Sequence, residues 1–244
     1  MKRKAFSLVE LSMVMVIIAV LVTGVTGGSK LMETSRLNKV ALQLNNIVTS
    51  VETFELAYKG LPGDLSNAQD YFGGSLCVDH ATHAKLTCNG DGNDAIGSFY
   101  SGEGKEGEHA YVYLHMQLAD VYRGMYSPNT LSDALAFHTV SDLNTPSTDV
   151  AGTKVHYAFW GTNTLGDARY KMYVGKVRKV VDANIGKPYD SAFSSNMIKK
   201  IDRRIDDGDV LTGRLRKSNG NGDACSSNSD EITCKILYYE RAPN

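Results

Sequence analysis

Glu10 is a carboxylate set in an apolar run. From Phe6 to Gly28 the chain reads FSLVELSMVMVIIAVLVTGVTGG, with no other charged residue. An acid in hydrocarbon costs several kcal/mol unless it is paired or reaches the interface, which makes it a functional candidate by default. Glu10 can snorkel into headgroups, or it can take a cation from within the same apolar layer. No Lys or Arg lies between Phe6 and Gly28. An α-amino group created by a cut just before Phe6 would supply one.

A second acidic pattern is NGDGNDAIG at 89–97, where Asn89, Asp91 and Asn93 alternate with other residues and Ile96 stands where a calcium loop places its apolar residue. Calcium takes about six to eight oxygens, and alternating Asp and Asn present several. The sixth position is Asp94 where such loops carry Gly, and the twelfth is Tyr100 where they carry a bidentate Glu. A solvated Asn/Gly turn is therefore the favoured expectation, with calcium the alternative. Cys77, Cys88, Cys225 and Cys234 form two pairs close in sequence, neither with the C-x2-C spacing of zinc sites. Two short-range disulfides follow, which places the domain in an oxidising compartment. His80 and His83 fall between the first two cysteines as C-x2-H-x2-H-x4-C, a poor match to zinc modules. His115 and His138 are isolated and read as structural. No G-x-S-x-G, Walker loop or H-E-x-x-H occurs, so no enzyme is expected.

The elements that must hold these groups begin with the apolar run. At about 1.5 Å per residue it spans on the order of 34 Å, against about 30 Å for a bilayer core. Basic MKRK before it stays in the cytoplasm by the positive-inside rule, which puts the rest of the chain across the membrane. A cleaved secretory signal is the alternative, but the run exceeds the usual h-region and continues as a helix. Leu37, Val40, Leu44, Ile47, Val51, Phe54 and Tyr58 then recur at spacings of three and four. That seam packs on the chain's own domain, on neighbouring helices, or on both. The helix should end near Gly60, with Pro62 beyond it.

These residues carry a resemblance. KRKA-FSLVEL followed by an apolar helix resembles the prepilin-type signal of type IV pilins and type II secretion pseudopilins. The resemblance implies a prepilin peptidase that cuts between Ala5 and Phe6 and methylates the new N-terminus. It implies that Glu10 compensates the N-terminal amine of a neighbouring subunit during assembly. The implied segments are a leader at 1–5, a transmembrane half-helix at 6–28, an amphipathic half at 29–60 and a globular domain at 61–244. The family usually has Gly where Ala5 stands, and many members carry a bending Pro near Gly27 and Gly28. YKGLPGDL at 58–65 is similar to the loop after this helix in pilin-like proteins. Because some pseudopilins bind calcium in a C-terminal loop, Asp206, Asp207, Asp209 and Asp223 become ligand candidates by analogy, with turn chemistry the default.

The remainder fits an α+β fold, a long helix on a small antiparallel sheet with long loops. Residues 109–124 and 190–205 read as helices, and 154–160, 170–181 and 236–241 as strands. Lys199, Lys200, Arg203 and Arg204, flanked by Asp202, Asp206 and Asp207, read as a solvated mixed-charge face or a source of subunit salt bridges. The formal charge is −1, and falls to −4 once Lys2, Arg3 and Lys4 are removed, so nucleic-acid binding is not expected. The expected function is a structural subunit that leaves the inner membrane for a periplasmic or extracellular filament. Its expected partners are other pilin-like subunits, the peptidase, the inner-membrane assembly machinery and lipid. A membrane-anchored monomeric periplasmic binding or adhesion module, with calcium as its candidate ligand, is the competing class. No cofactor beyond that calcium is expected.

Overall fold

Leu8–Tyr58 form a single 51-residue α-helix, α1, in the computed structural model. The structure describes residues 7–73, 89–94, 96, 108–126, 145–159, 170–177, 189–219, 225–226 and 228–239. At about 1.5 Å per residue the rod is on the order of 76 Å long. It runs without interruption through Gly24, Gly27 and Gly28. It ends where Lys59 turns left-handed (φ 57°) and its amide donates to the Glu55 carbonyl at 2.9 Å, just before Gly60 and Pro62.

The expected seam is buried against the chain's own domain. Leu37, Val40, Leu44, Ile47, Val51 and Phe54 are each at most 1% exposed, and Ala41 and Val48 widen the stripe. Phe54 stacks on Tyr58 at 4.6 Å between ring centroids, and both rings pack on Phe72. Phe72 closes a short helix, α2 (Ala68–Phe72), which the sequence pattern did not indicate. Polar contacts fix the rod's rotation. Ser50 Oγ donates to the Val121 carbonyl at 2.8 Å, Gln43 Nε2 donates to the Ser147 carbonyl, and Lys39 pairs with Asp149 at 2.6 Å.

The expected helix over 109–124 is shorter. A 3-10 turn, Glu108–Ala110, leads into α3 (Val112–Leu118). The chain then stops at Asp120, which is left-handed (φ 56°), while the amides of Val121 and Tyr122 both donate back to the Met116 carbonyl. The strands are β1 (Thr153–Phe159), β2 (Tyr170–Val177), β3 (Tyr189–Asp190), β4 (Leu215–Asn219) and β5 (Cys234–Tyr239). They pair antiparallel in the order β1-β2-β5-β4, and β3 pairs with the end of β2 beyond β5. The fold is α+β. Two cross-strand rows carry its inner face: Tyr157, Met172, Tyr238 and Leu215, then Val155, Val174 and Ile236. All seven are buried, as the two-residue period of a half-covered sheet requires. Residues 190–193, expected as the start of a helix, instead pair with β2 and β5 at Asp190 and Phe193, and α4 spans Ser195–Ile205 with Ser194 Oγ accepting the Met197 amide as its N-cap. α4 lies against α1, and Ile198 and Ile201 join the common core.

One polar knot ties the first loop to the rest. Asp64 is 1% exposed, and its Oδ1 accepts the amides of Gly92 (2.8 Å) and Asn93 (3.3 Å) while Oδ2 accepts that of Asp94 (2.8 Å). Gly90 lies so close to the Asp64 backbone that a side chain there would collide with it. The Asp91 amide donates to buried Glu108, and the Gly63 amide to Nδ1 of buried His115, at 2.9 Å. Burial pushes the Asp64 carboxyl up to about 6, helped by Asp91 and opposed by the three amides. A second buried pair is His109 and His156, with ring centroids 5.2 Å apart. Burial and then the neighbouring His109 hold His156 well below the usual imidazole range.

Two outcomes follow. Asp64→Asn puts an NH2 group among three amide donors, and should lower unfolding free energy in denaturant titration by about 1–3 kcal/mol. For His156, the unfolded chain takes up a proton near pH 6.5 and the folded chain only at lower pH, so stability is lost as pH falls below about 6.5. Asp64, with its raised folded value, acts in the opposite sense between about pH 6 and 4. Wild type should therefore be compared with His156→Gln. The variant's acid limb should be flatter by up to about 1.4 kcal/mol per pH unit.

Candidate functional site

Ser7 opens α1 as its N-cap. Its Oγ accepts the Val9 amide at 3.3 Å, and the Glu10 carboxylate accepts the Ser7 amide at 2.9 Å, which completes a capping box. Glu10 thus sits folded against the positive end of the helix, where a negative charge is favoured. Ala5 and Phe6 lie outside the described residues. The amine that a cut before Phe6 would create belongs to the residue preceding Ser7.

Behind Glu10 the helix presents apolar side chains on every side. Thirteen large ones between Leu8 and Val25 are exposed, from Leu8 at 85% to Val25 at 71%. At about 1.5–3 kcal/mol for each such side chain when fully buried, their exposure to water would cost tens of kcal/mol. That exceeds the ~5–15 kcal/mol that holds a domain together, so this half must be buried in lipid or protein. Its hydroxyls are already satisfied. Thr23 and Thr26 donate to carbonyls three and four residues back at 3.0–3.1 Å, so they add no unpaired donor in an apolar medium. The segment is long and apolar enough to cross a membrane, and it fits membrane anchoring.

The acidic candidates divide. Asn89 Oδ1 accepts the Gln69 amide, and Asp91 accepts from both the amide and the side chain of Asn93, so these groups build the turn around Asp64. Asp64, Asp91 and Glu108 place carboxylate oxygens within 4.8 Å of one another, each already accepting hydrogen bonds. Ile96 is buried in the core, and Tyr100 lies outside the described residues.

The second set differs because of a residue that the sequence pattern had placed in a solvated face. Asp202 is on α4 at 0% exposure, with the Gly208 amide as the donor that lowers its proton affinity. Ile198, Ile201, Asp202 and Ile205 recur at spacings of three and four, a signal that puts Asp202 on the apolar face of α4 while Arg203 and Arg204 stay exposed. Burial first, then the charges of Asp206, Asp207 and Asp209, push the Asp202 carboxyl up to about 7, with the Gly208 amide opposing. Carboxylate oxygens of Asp202, Asp206 and Asp207 lie within 4.8 Å of one another. Asp206 Oδ2 accepts the amides of Arg214 and Leu215, the latter at 2.8 Å. Asp207 accepts the Asp209 amide and the Thr212 hydroxyl, each at 2.8 Å, and Asp209 accepts the Leu211 amide. Asp209 therefore shapes the loop, and Asp223 lies outside the described residues.

Cys225 and Cys234 form a disulfide with Cα atoms 4.9 Å apart, pinning β5 to the loop before it. Cys77, Cys88, His80, His83 and His138 lie outside the described residues. His115 is structural, as expected, accepting the Gly63 amide within the core. Lys200 pairs with Glu33 of α1 at 2.9 Å, an intramolecular use of the basic face.

No curated protein and no solved structure matches the chain. One family model does, described as the prokaryotic N-terminal methylation motif, over residues 1–26. The chain thus carries, ahead of and through the first half of α1, the prepilin-type signal of type IV pilins and pseudopilins.

Proposed function

We propose that this chain is a structural subunit of a type IV pilus or type II secretion filament. A prepilin peptidase cuts it between Ala5 and Phe6 and methylates the new amine. The segment 6–28 then anchors the subunit in the inner membrane, with Lys2, Arg3 and Lys4 on the cytoplasmic side before the cut. The globular domain faces the periplasm, in keeping with the Cys225–Cys234 disulfide. On assembly, the exposed half of α1 exchanges lipid for neighbouring helices. Glu10 of one subunit then compensates the amine of another, which removes two isolated charges from the apolar core.

The observation that carries this is the division of α1. One unbroken helix has its second half buried in the domain and its first half, behind the methylation motif, exposed and apolar all round. A single-pass anchor needs only the apolar half. A filament core also needs that half to be presented rigidly at a fixed angle to the domain, which the continuous backbone provides.

Mass spectrometry of the mature protein should find N-methyl-Phe6 as its first residue. An intact Met1, or a cut beyond Gly28, would instead favour a monomeric anchored module or a secreted one. The capping box calls for two variants of Glu10. Glu10→Ala removes both charge and cap, whereas Glu10→Gln keeps an acceptor for the Ser7 amide. Both should be processed normally, and both should reduce filament yield at least about tenfold, since one lost ion pair in an apolar layer exceeds about 1.4 kcal/mol. Normal filaments from Glu10→Gln would reassign Glu10 from charge compensation to helix capping.

A further inference from the structure

We propose that the groove between α1 and α4 binds the phosphate of an anionic phospholipid, in the periplasmic leaflet of the membrane that α1 crosses. Thr34, Leu37 and Asn38 of α1 line it with Lys200, Arg203 and Arg204 of α4, around a volume of about 500 Å³. All the charged residues among them are cations. Lys200 is paired with Glu33 at 2.9 Å. Arg203 and Arg204 are exposed, and among the described residues neither takes part in an ion pair. The acids that follow, Asp206 and Asp207, accept amides and a hydroxyl of the loop between α4 and β4 instead. Two unpaired guanidinium groups in one groove suit a phosphate, which arginine holds through paired N–H donors.

The height of the groove on α1 identifies the source of that phosphate. This step rests on the reading of α1 as a membrane anchor with the domain in the periplasm. The exposed apolar surface continues past Gly28, with Leu31 at 74% and Met32 at 60% exposure, and then gives way to Glu33, Thr34, Ser35 and Arg36. With Glu10 in the cytoplasmic headgroups, the apolar layer runs from Leu11 to Met32, on the order of 33 Å at about 1.5 Å per residue. A tilt of about 20° fits that length to a core of about 30 Å. Lys30, near the boundary, reaches the headgroups by snorkelling. Thr34 to Leu37 then stand about 3–8 Å beyond Met32. That is the depth of the headgroup layer, roughly 5–8 Å thick on each face.

The Lys200–Glu33 pair fixes α4 at this level, one residue past Met32. A zwitterionic headgroup brings its own ammonium to the two arginines, whereas an anionic one brings a net negative charge, so the groove should select the anionic lipid. Held in this way, the domain rests on the membrane with α4 toward the headgroups. The contact is given up when α1 leaves the bilayer.

The test uses the full chain reconstituted in phosphatidylcholine vesicles. Electron paramagnetic resonance compares how far the protein restricts spin-labelled phosphatidylglycerol and spin-labelled phosphatidylcholine. In about 20 mM salt the wild type should favour the phosphatidylglycerol label at least about threefold, and the preference should shrink toward parity in about 0.5 M salt. Inorganic phosphate added at constant ionic strength should not displace the label. Arg203→Gln combined with Arg204→Gln should remove most of the preference while leaving thermal unfolding unchanged, since both side chains are exposed. Arg36→Gln, exposed at the same height but outside the groove, should remove less. No preference in the inserted wild type, or an equal loss in Arg36→Gln, would overturn the lipid site and leave the cleavage and filament roles standing. An unchanged lipid preference with lost filaments in the double arginine variant would overturn it too, and assign the groove to a neighbouring subunit. Failure of the chain to insert at all, read by alkaline carbonate extraction, would instead sink the anchored reading on which the site rests.

Discussion

Two apolar surfaces on one unbroken helix have to be buried in two different media. The second half of α1 carries a stripe, and the stripe is covered by α3, α4 and the inner face of the sheet. The first half is apolar all round and meets none of them. A stripe suits a domain core, whereas an all-round apolar surface suits lipid or a bundle of like helices. The domain is built around one end of the rod because only that end offers it a partner, and the other end is left for the membrane or for other subunits.

Keeping the rod whole matters more than its composition suggests. Gly24, Gly27 and Gly28 each weaken a helix by about 1 kcal/mol, yet the helix passes through them. Hydroxyls of Thr23, Thr26 and Ser29 fold back onto the preceding turns, so the stretch carries no unsatisfied polar side chain. The ends are handled differently. At Tyr58 a left-handed Lys59 closes the helix inside the domain, and at Ser7 a capping box does so where no domain exists. Glu10 thereby has a local task in the isolated chain as well as the charge-pairing task proposed for it in a filament.

The two acidic clusters differ in how many backbone donors the fold brings to their innermost carboxylate. Around Asp64, three amides, a glycine without room for a side chain and the buried Glu108 make a closed set that joins three loop segments. Around Asp202, the fold delivers the carboxylates of Asp206 and Asp207 and sets the Gly208 amide against them. Both include acids with raised proton affinity, so that shift alone does not distinguish them. The hydrogen bonds do.

The residues alone determined the N-terminal motif, the apolar span, the seam, the end of α1 near Gly60 and the α+β class, because each rests on local periodicity or on a contiguous motif. They also indicated β1, β2 and β5, which are rich in β-branched and aromatic residues. They did not indicate β4, where Leu215 is buried and Arg216, Lys217 and Ser218 are half-buried, since an edge strand next to β5 needs little apolar pattern. Only the tertiary structure decided that the seam is covered by the chain's own domain, that 89–94 wraps Asp64, and that Asp202 faces inward. Asp64 is 25 residues or more from its amide partners Gly92, Asn93 and Asp94, and Asp206 and Asp207 come beside Asp202 through a turn that no periodicity reports. Motifs and repeats are written along the chain. Which buried carboxylate finds a partner depends on what the fold brings to it from elsewhere.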